Sequence, residues 1–249
     1  MSGKHLLHRE PLGTPHRGIA LAHNSNPVVF LEIQFPKSEK VTVAGVQQQS
    51  QPVRLLFELF FDLAPTLATN MYGLCIGSCT RLVNHRVQAA GYKDTVLHDA
   101  FVGQYVVGGD VMGAAGSGFF SALGERQGPL QVPQNELESL SKMAPERCRQ
   151  QLGIYLQYWN HTQQPEGGAP STAKVASTFR IDTVARGAAA KMSDDGVLIG
   201  RLVAHDAEQR AVAERQLAEL ARSVYHARRV GSPQEQSQLF PVITLCGEM

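Results

Sequence analysis

Residues 54–77 read RLLFELFFDLAPTLATNMYGLCIG, and this stretch lays a strand directly against a helix. Arg54–Phe60 is a short run of large apolar side chains, the signature of a buried strand. Pro65 then suits the first turn of a helix, where its missing N–H costs nothing. Leu67, Met71 and Leu74 follow at i, i+4 and i+7 on one face, and the helix is expected to end near Gly77.

On the N-terminal side, Val28–Phe35 is apolar and β-branched, and the Asn26-Pro27 pair and the Gln-rich turn at Gln47–Pro52 bound it. The two strands read as a hairpin. Residues 1–26 hold glycine, proline and asparagine without periodicity and read as an extended arm, of a kind ordered only when docked on something.

On the C-terminal side, residues 78–91 read as a polar connection, partly helical. Tyr92–Asp110 runs through short apolar stretches into a glycine-rich loop carrying Gly113, Gly116, Gly118 and Gly124. Residues 125–150 are polar and proline-punctuated, an inserted loop with a short helix, and a second loop insertion is expected at about 160–175. Gly153–Tyr158, Ser177–Val184, Val197–Ala204 and Phe240–Leu245 read as strands. Between the last two lies the clearest helix, Asp206–Arg229. Asp206 can cap it, an apolar stripe runs through Ala213, Leu217, Leu220, Ala221 and Val224, and Arg228 and Arg229 sit where the helix dipole favours cations. Gly231 and Pro233 are expected to stop it. Many short strands with two helices suggest a barrel with plugged ends.

Composition sets limits. The 249 residues suit one barrel domain with additions, and 43 % hydrophobic content supplies a core. Net charge is +1, so no global field favours nucleic acid or an anionic membrane. No run of about 18 apolar residues suggests a membrane helix. Cys75, Cys79, Cys148 and Cys246 match no common zinc spacing and read as buried, reduced thiols, pointing to the cytoplasm. The basic, histidine-rich start (Lys4, His5, His8, Arg9, His16, Arg17 and His23 against Glu10) makes a mitochondrial location the alternative.

Taken in order, several segments resemble the cyclophilins. Asn26-Pro27-Val28-Val29-Phe30 is similar to that family's opening strand. Leu56-Phe57-Glu58-Leu59-Phe60, followed by Ala64-Pro65, Ala68, Asn70, Leu74 and Cys75, is similar to its second strand and first helix. Gly91-Tyr92-Lys93, His98, Gly108-Gly109-Asp110 and the glycine loop keep the family's order and spacing, and Ile243-Thr244-Leu245-Cys246-Gly247 resembles its ending. The resemblance implies a closed eight-stranded antiparallel barrel capped by two helices, covering residues 27–249, with the arm, the insertions and an extended helix at about 206–230 added.

It also implies an activity, isomerisation of the peptide bond before proline, whose barrier of about 18–20 kcal/mol comes from amide resonance. The family uses an apolar pocket for the proline ring and an arginine whose N–H groups reach the prolyl nitrogen as resonance is lost. Here His98 is followed by Asp99, a carboxylate that cannot donate at neutral pH. The groove phenylalanine, methionine and glutamine fall on Gln104, Tyr105 and Val107. An alanine-asparagine pair falls on Tyr158-Trp159. A glutamine and the pocket phenylalanine fall on Thr178 and Arg180, a tryptophan-leucine corner on Ala188–Ala190, and a groove histidine near Gly196. Arg180 could supply a cation from another wall.

The degenerate site therefore comprises His98, Asp99, Gln104, Tyr105, Val107, Thr178 and Arg180, with no catalytic residue, cofactor or metal assigned. The expected role is a structural subunit of a larger protein assembly, cytoskeletal or axonemal before ribonucleoprotein, contacted through the arm and insertions, without membrane or nucleic acid as partner. A weak or specialised prolyl isomerase and a proline-peptide binding module are the alternatives. Against the blander features, Ser117 or Ser121 beside His98-Asp99 lacks a nucleophile elbow, Gly113–Gly118 lacks the lysine of a phosphate loop, and Asp194-Asp195-Gly196 reads as a turn.

Overall fold

The computed structural model describes residues 18–36, 51–83, 86–113, 116–144, 147, 151–159, 173–185, 195–230 and 232–249. Over these residues the chain is mostly β. Strands β1 (Val28–Gln34) and β2 (Val53–Leu59) form the expected antiparallel pair, with Val28 opposite Glu58 and Ile33 opposite Val53. Helix α1 (Pro65–Ile76) follows with Pro65 in its first turn, and Gly77 closes it in the left-handed region at φ 65°.

The next segment corrects the sequence reading. Residues 78–91 are not a partly helical connection but a hairpin, β3 (Cys79–Val83) and β4 (Arg86–Ala90), forming a separate two-stranded sheet. Thr80, Val83 and Val87 are β-branched and fit extended backbone, and the ladder satisfies amides that a loop would leave to water.

Then come β5 (Leu97–Phe101), β6 (Tyr105–Gly108), a 3-10 turn at 125–127, β7 (Leu130–Gln131), α2 (Gln134–Ser141), β8 (Gly153–Tyr158), β9 (Lys174–Asp182), β10 (Gly196–Val203), α3 (Ala207–Ala227), α4 (Pro233–Leu239) and β11 (Val242–Glu248). The insertion at 125–150 does carry its short helix, α2, and Glu136 from that helix caps α1, accepting from the backbone of Thr66 at 2.8 Å and Leu67 at 3.1 Å. Residues 160–172 of the second insertion lie outside the described residues. Asp206 caps α3 as expected, accepting from the Gln209 amide at 2.7 Å. Pro233, expected only as a stop, also opens α4, because Ser232 and Glu235 form a reciprocal capping box there. No helix among the described residues is long and apolar enough to cross a membrane.

The large sheet runs β11-β1-β2-β10-β8-β9-β6-β5, antiparallel throughout, with β7 attached to β9. It curls strongly around a core that includes Leu31, Phe57, Met71, Tyr92, Phe179 and Ile243. Its two ends do not zip into a ladder, so the expected closed barrel is an open, curled sheet. They meet at one corner: Leu97 N donates to Pro241 O at 2.9 Å, and Ile243 N to Thr95 O at 2.9 Å. Beyond that corner a register shift between Leu97 and Asp99 re-aims β5, and α3 packs against β5 and β6. The apolar stripe of α3 is buried there, Leu217, Leu220, Ala221 and Val224 being fully covered.

Residues 18–26 dock on the same domain. Ile19 packs with Val28 and Val203. The buried carboxylate of Glu58 accepts from Ala22 N at 2.8 Å, Asn26 Nδ2 at 2.8 Å and Arg201 Nε at 2.8 Å, while Arg201 also donates to Ala20 O at 3.0 Å. Asp62 closes the network in a bidentate pair with Arg147, at 2.7 and 2.6 Å. Residues 1–17 lie outside the described residues.

Candidate functional site

The outer face of the sheet carries a row of side chains across four strands. Asp99 of β5 lies opposite Val107 of β6, Val107 opposite Arg180 of β9, and Arg180 opposite Tyr155 of β8. Directly opposed residues project to one face, and residues two apart share it, so Tyr105, Thr178 and Asp182 join them. The intervening Val106, Phe179, Ile181 and Ile154 point into the core. β9 is therefore buried on both faces, one apolar and one polar.

Arg180 dominates the polar face. Its side chain is only 2 % exposed. The guanidinium lies 4.1 Å from the Tyr155 ring centroid and 5.3 Å from that of Tyr105. It forms ion pairs with Asp195 and, at 3.8 Å, with Asp182. The Tyr155 hydroxyl donates to Asp182 at 3.0 Å. A cation sandwiched between rings and paired with two carboxylates is held in place on every side that these contacts define. The sequence made Arg180 a candidate cation for the groove; in the folded chain its charge is neutralised within the wall.

At the other end of the row, Asp99 accepts from its neighbour's amide, Ala100 N, at 2.7 Å and from Arg228, at the C-terminal end of α3. Position 99 thus holds an acceptor already bound to a guanidinium from another element. Both partners are partly exposed, with side chains 51 % and 42 % accessible for Arg228 and Asp99. Gln104 sits in the β5–β6 turn, exposed, and contributes backbone alone: its carbonyl accepts from Thr183 N at 2.8 Å. His98 is buried beneath the glycine loop, with the Gly116 backbone against its ring, and among the described residues its Nδ1 has no well-formed hydrogen bond. Burial pushes the His98 pKa below its ordinary value, and Arg228 adds to this, while the charge of Asp110 and the Val96 carbonyl oppose it. Asp110 itself organises the loop, accepting from Met112 N at 2.9 Å and Gly118 N at 3.1 Å.

The chemistry open to this arrangement is limited. Among the described residues, no serine or threonine hydroxyl and no thiol on the face is paired with a general base. The Ser121 hydroxyl is buried and donates to Gly128 O at 2.5 Å, which removes it from hydrolytic use. Asp195, read as part of a turn, turns out to pair with Arg180. Ala188–Ala190, Asp194 and Cys148 lie outside the described residues. Cys75, Cys79 and Cys246 are free thiols, and burial raises all three, Cys246 to about 11, so they are held protonated.

His98, Asp99, Tyr105, Val107, Thr178 and Arg180 are thus brought to one region of β5, β6 and β9, and Gln104 flanks it. Tyr155, Asp182, Asp195 and Arg228 were missed. The alternation Thr178-Phe179-Arg180-Ile181-Asp182 was the available signal for Asp182: an arginine and an aspartate two apart on a strand share a face. Nothing local announces Arg228, 129 residues from Asp99. Comparison with models of known protein families finds no match.

Proposed function

We propose that this chain is a divergent cyclophilin-type protein that has lost prolyl-isomerase activity and serves as a structural subunit of a larger protein assembly, of cytoskeletal or axonemal type. One observation carries the reading: Arg180, at the position that the resemblance assigns to the proline pocket, fills that place with a buried guanidinium clamped by Asp182, Asp195, Tyr105 and Tyr155. An apolar proline ring would have to displace a paired ion, which costs several kcal/mol. The loss of the donor at position 99 acts in the same direction, since removing one preorganised donor typically costs about 10²–10³ in rate.

The test is NMR exchange spectroscopy on a short Xaa-Pro peptide, with an active cyclophilin as control. Exchange at the uncatalysed rate is expected, and clear acceleration would overturn the loss of activity. The assembly role is tested by sizing the protein in native extract: migration as a free monomer at cellular concentration would defeat it.

One contact favours a second reading, a weak isomerase. Arg228 brings a guanidinium to Asp99, and only one of its nitrogens is used there. On that reading the exchange assay shows modest acceleration, abolished by Arg228→Ala and little changed by Asp99→Arg.

A further inference from the structure

The connection between α3 and α4 carries a serine that the candidate site does not use. It reads Arg228-Arg229-Val230-Gly231-Ser232-Pro233 and contains the chain's one Ser-Pro pair, with Arg229 three residues before the serine. Thr183 also follows an arginine at that spacing, but it is buried and no proline succeeds it, whereas Ser232 is exposed. The Ser232 backbone is extended, at φ −77° and ψ 163°. Its hydroxyl donates to Glu235 Oε2 at 3.0 Å, and its amide donates to the same oxygen at 2.6 Å. Gln236 Nε2 donates to the Arg228 carbonyl at 3.1 Å, which folds the first turn of α4 back onto the end of α3. Arg228 and Arg229 are both exposed there, Arg228 paired with Asp99 and Arg229 stacked over Tyr225 at 3.9 Å from the ring centroid.

We propose that Ser232 is a phosphorylation site for a proline-directed protein kinase that selects arginine three residues before its target. Pro233 has no N–H, so it suits a kinase cleft that asks for none at that position. Arg229 offers such a kinase a guanidinium that can bind a carboxylate through two N–H groups. The turn that must open is held weakly, because α4 has only seven residues, too few to stand as a helix on its own. In the transfer, the Ser232 oxygen attacks the γ-phosphorus of a nucleoside triphosphate and the bond from that phosphorus to the β–γ bridging oxygen breaks. The nucleoside diphosphate leaves, and the hydroxyl proton passes to the kinase's catalytic aspartate. The product carries a charge of about −1.5 to −2 and no hydroxyl proton. Glu235 then loses its donor and faces a like charge, which opens the capping box. The pair between Arg228 and Asp99 is exposed and therefore weak. A phosphate in the same connection, with more charge and more acceptor oxygens, takes that guanidinium from Asp99. Modification at Ser232 is thereby felt at position 99 of the sheet.

The full chain is incubated with magnesium ATP and a recombinant kinase catalytic domain of that specificity, and incorporated phosphate is located by tandem mass spectrometry. Modification of Ser232 is expected. Ser232→Ala should abolish it, and Arg229→Ala should slow it about tenfold. Circular dichroism checks that both variants stay folded; Arg229→Ala leaves the Ser232 cap untouched and decides the matter if Ser232→Ala does not fold. The Ala100 amide, which donates to Asp99 at 2.7 Å, reports the second step. Its NMR signal should move on phosphorylation, and Arg228→Gln should remove that movement. No phosphate at Ser232 in the folded chain, an undiminished rate in Arg229→Ala, or total incorporation unchanged by Ser232→Ala would overturn the site. A stationary Ala100 signal, or one that moves equally in Arg228→Gln, would overturn the transfer of Arg228. The prolyl assay is independent: either isomerase result leaves this site standing, and an unmodified Ser232 leaves the inactive-site reading standing.

Discussion

Replacing Arg180 by methionine is the sharpest perturbation of the site. The side chain keeps much of its length and apolar volume, so the variant removes charge rather than bulk. It strands Asp182, whose side chain is 1 % exposed, with the Tyr155 hydroxyl still bound to it at 3.0 Å. Breaking a buried ion pair by removing one partner costs about 3–5 kcal/mol, because the remaining charge stays desolvated. Loss of the stacking on Tyr155 and Tyr105 adds about 1 kcal/mol. The single variant should therefore lose about 4–6 kcal/mol in urea unfolding at constant m-value. Adding Asp182→Asn and Asp195→Asn to Arg180→Met should return most of that loss, since replacing a whole buried ion cluster is often close to neutral. A coupling energy above about 2 kcal/mol from the cycle is the expected signature. Arg180→Lys should recover only part, because an ammonium cannot stack flat between two rings while reaching two carboxylates. A loss under about 1 kcal/mol for Arg180→Met would refute the reasoning: the guanidinium would then be dispensable to the wall, and the pocket could not be called filled.

Three further outcomes are expected. Glu58→Gln should cost about 3 kcal/mol, because charge-assisted hydrogen bonds from Arg201 and the Ala22 and His23 amides are worth about 1.5–3 each; limited proteolysis within 18–26 should accelerate, and an unchanged cleavage rate would show that the segment is held otherwise. Gly116→Ala should lower the melting temperature by several degrees, since φ is 73° there and a methyl would strike the His98 ring; a melting point within a degree of the original would refute this. Because His98 is held below its ordinary pKa, the unfolded chain binds its proton first as pH falls. Stability should decline from about pH 6.5 downward, levelling once the folded-state pKa is passed, and His98→Leu should remove that slope while leaving the acid loss from Asp62, whose carboxyl burial raises but Arg147 and Asn26 pull lower still. An identical slope in the variant would place the titration elsewhere.

Local rules in the sequence determined the elements with strong periodicity or clear termini. Pro65 and Gly77 bracket α1, Asp206 opens α3 with its stripe buried, and Gly153–Tyr158 is a strand over the range its residues suggest. Each depends on neighbours within a few positions, where propensity and hydrogen bonding act without help. The β3–β4 hairpin was harder to read because Thr80, Val83 and Val87 are interleaved with polar residues, and a two-stranded ladder outside the main sheet leaves little hydrophobic trace. α4 was hidden because Pro233 breaks one helix and starts another equally well.

The candidate site divides along the same line. That Asp99 offers an acceptor and, at neutral pH, no donor is a property of the residue, visible without coordinates. What Arg180 does is not. Whether a strand arginine faces solvent, a ligand or its own wall depends on which strands flank it, and β6 and β8 bring Tyr105 and Tyr155 to its two sides. The carboxylate beside the 196–203 strand, Asp195, and the guanidinium at the end of α3, Arg228, reach the site only through long-range packing. Charge, donor capacity and chain-local structure were written in the order of residues; the pairing of Arg180 and Asp99 was decided by tertiary structure, because an ion pair depends on distance in space, and separation along the chain sets no limit on it.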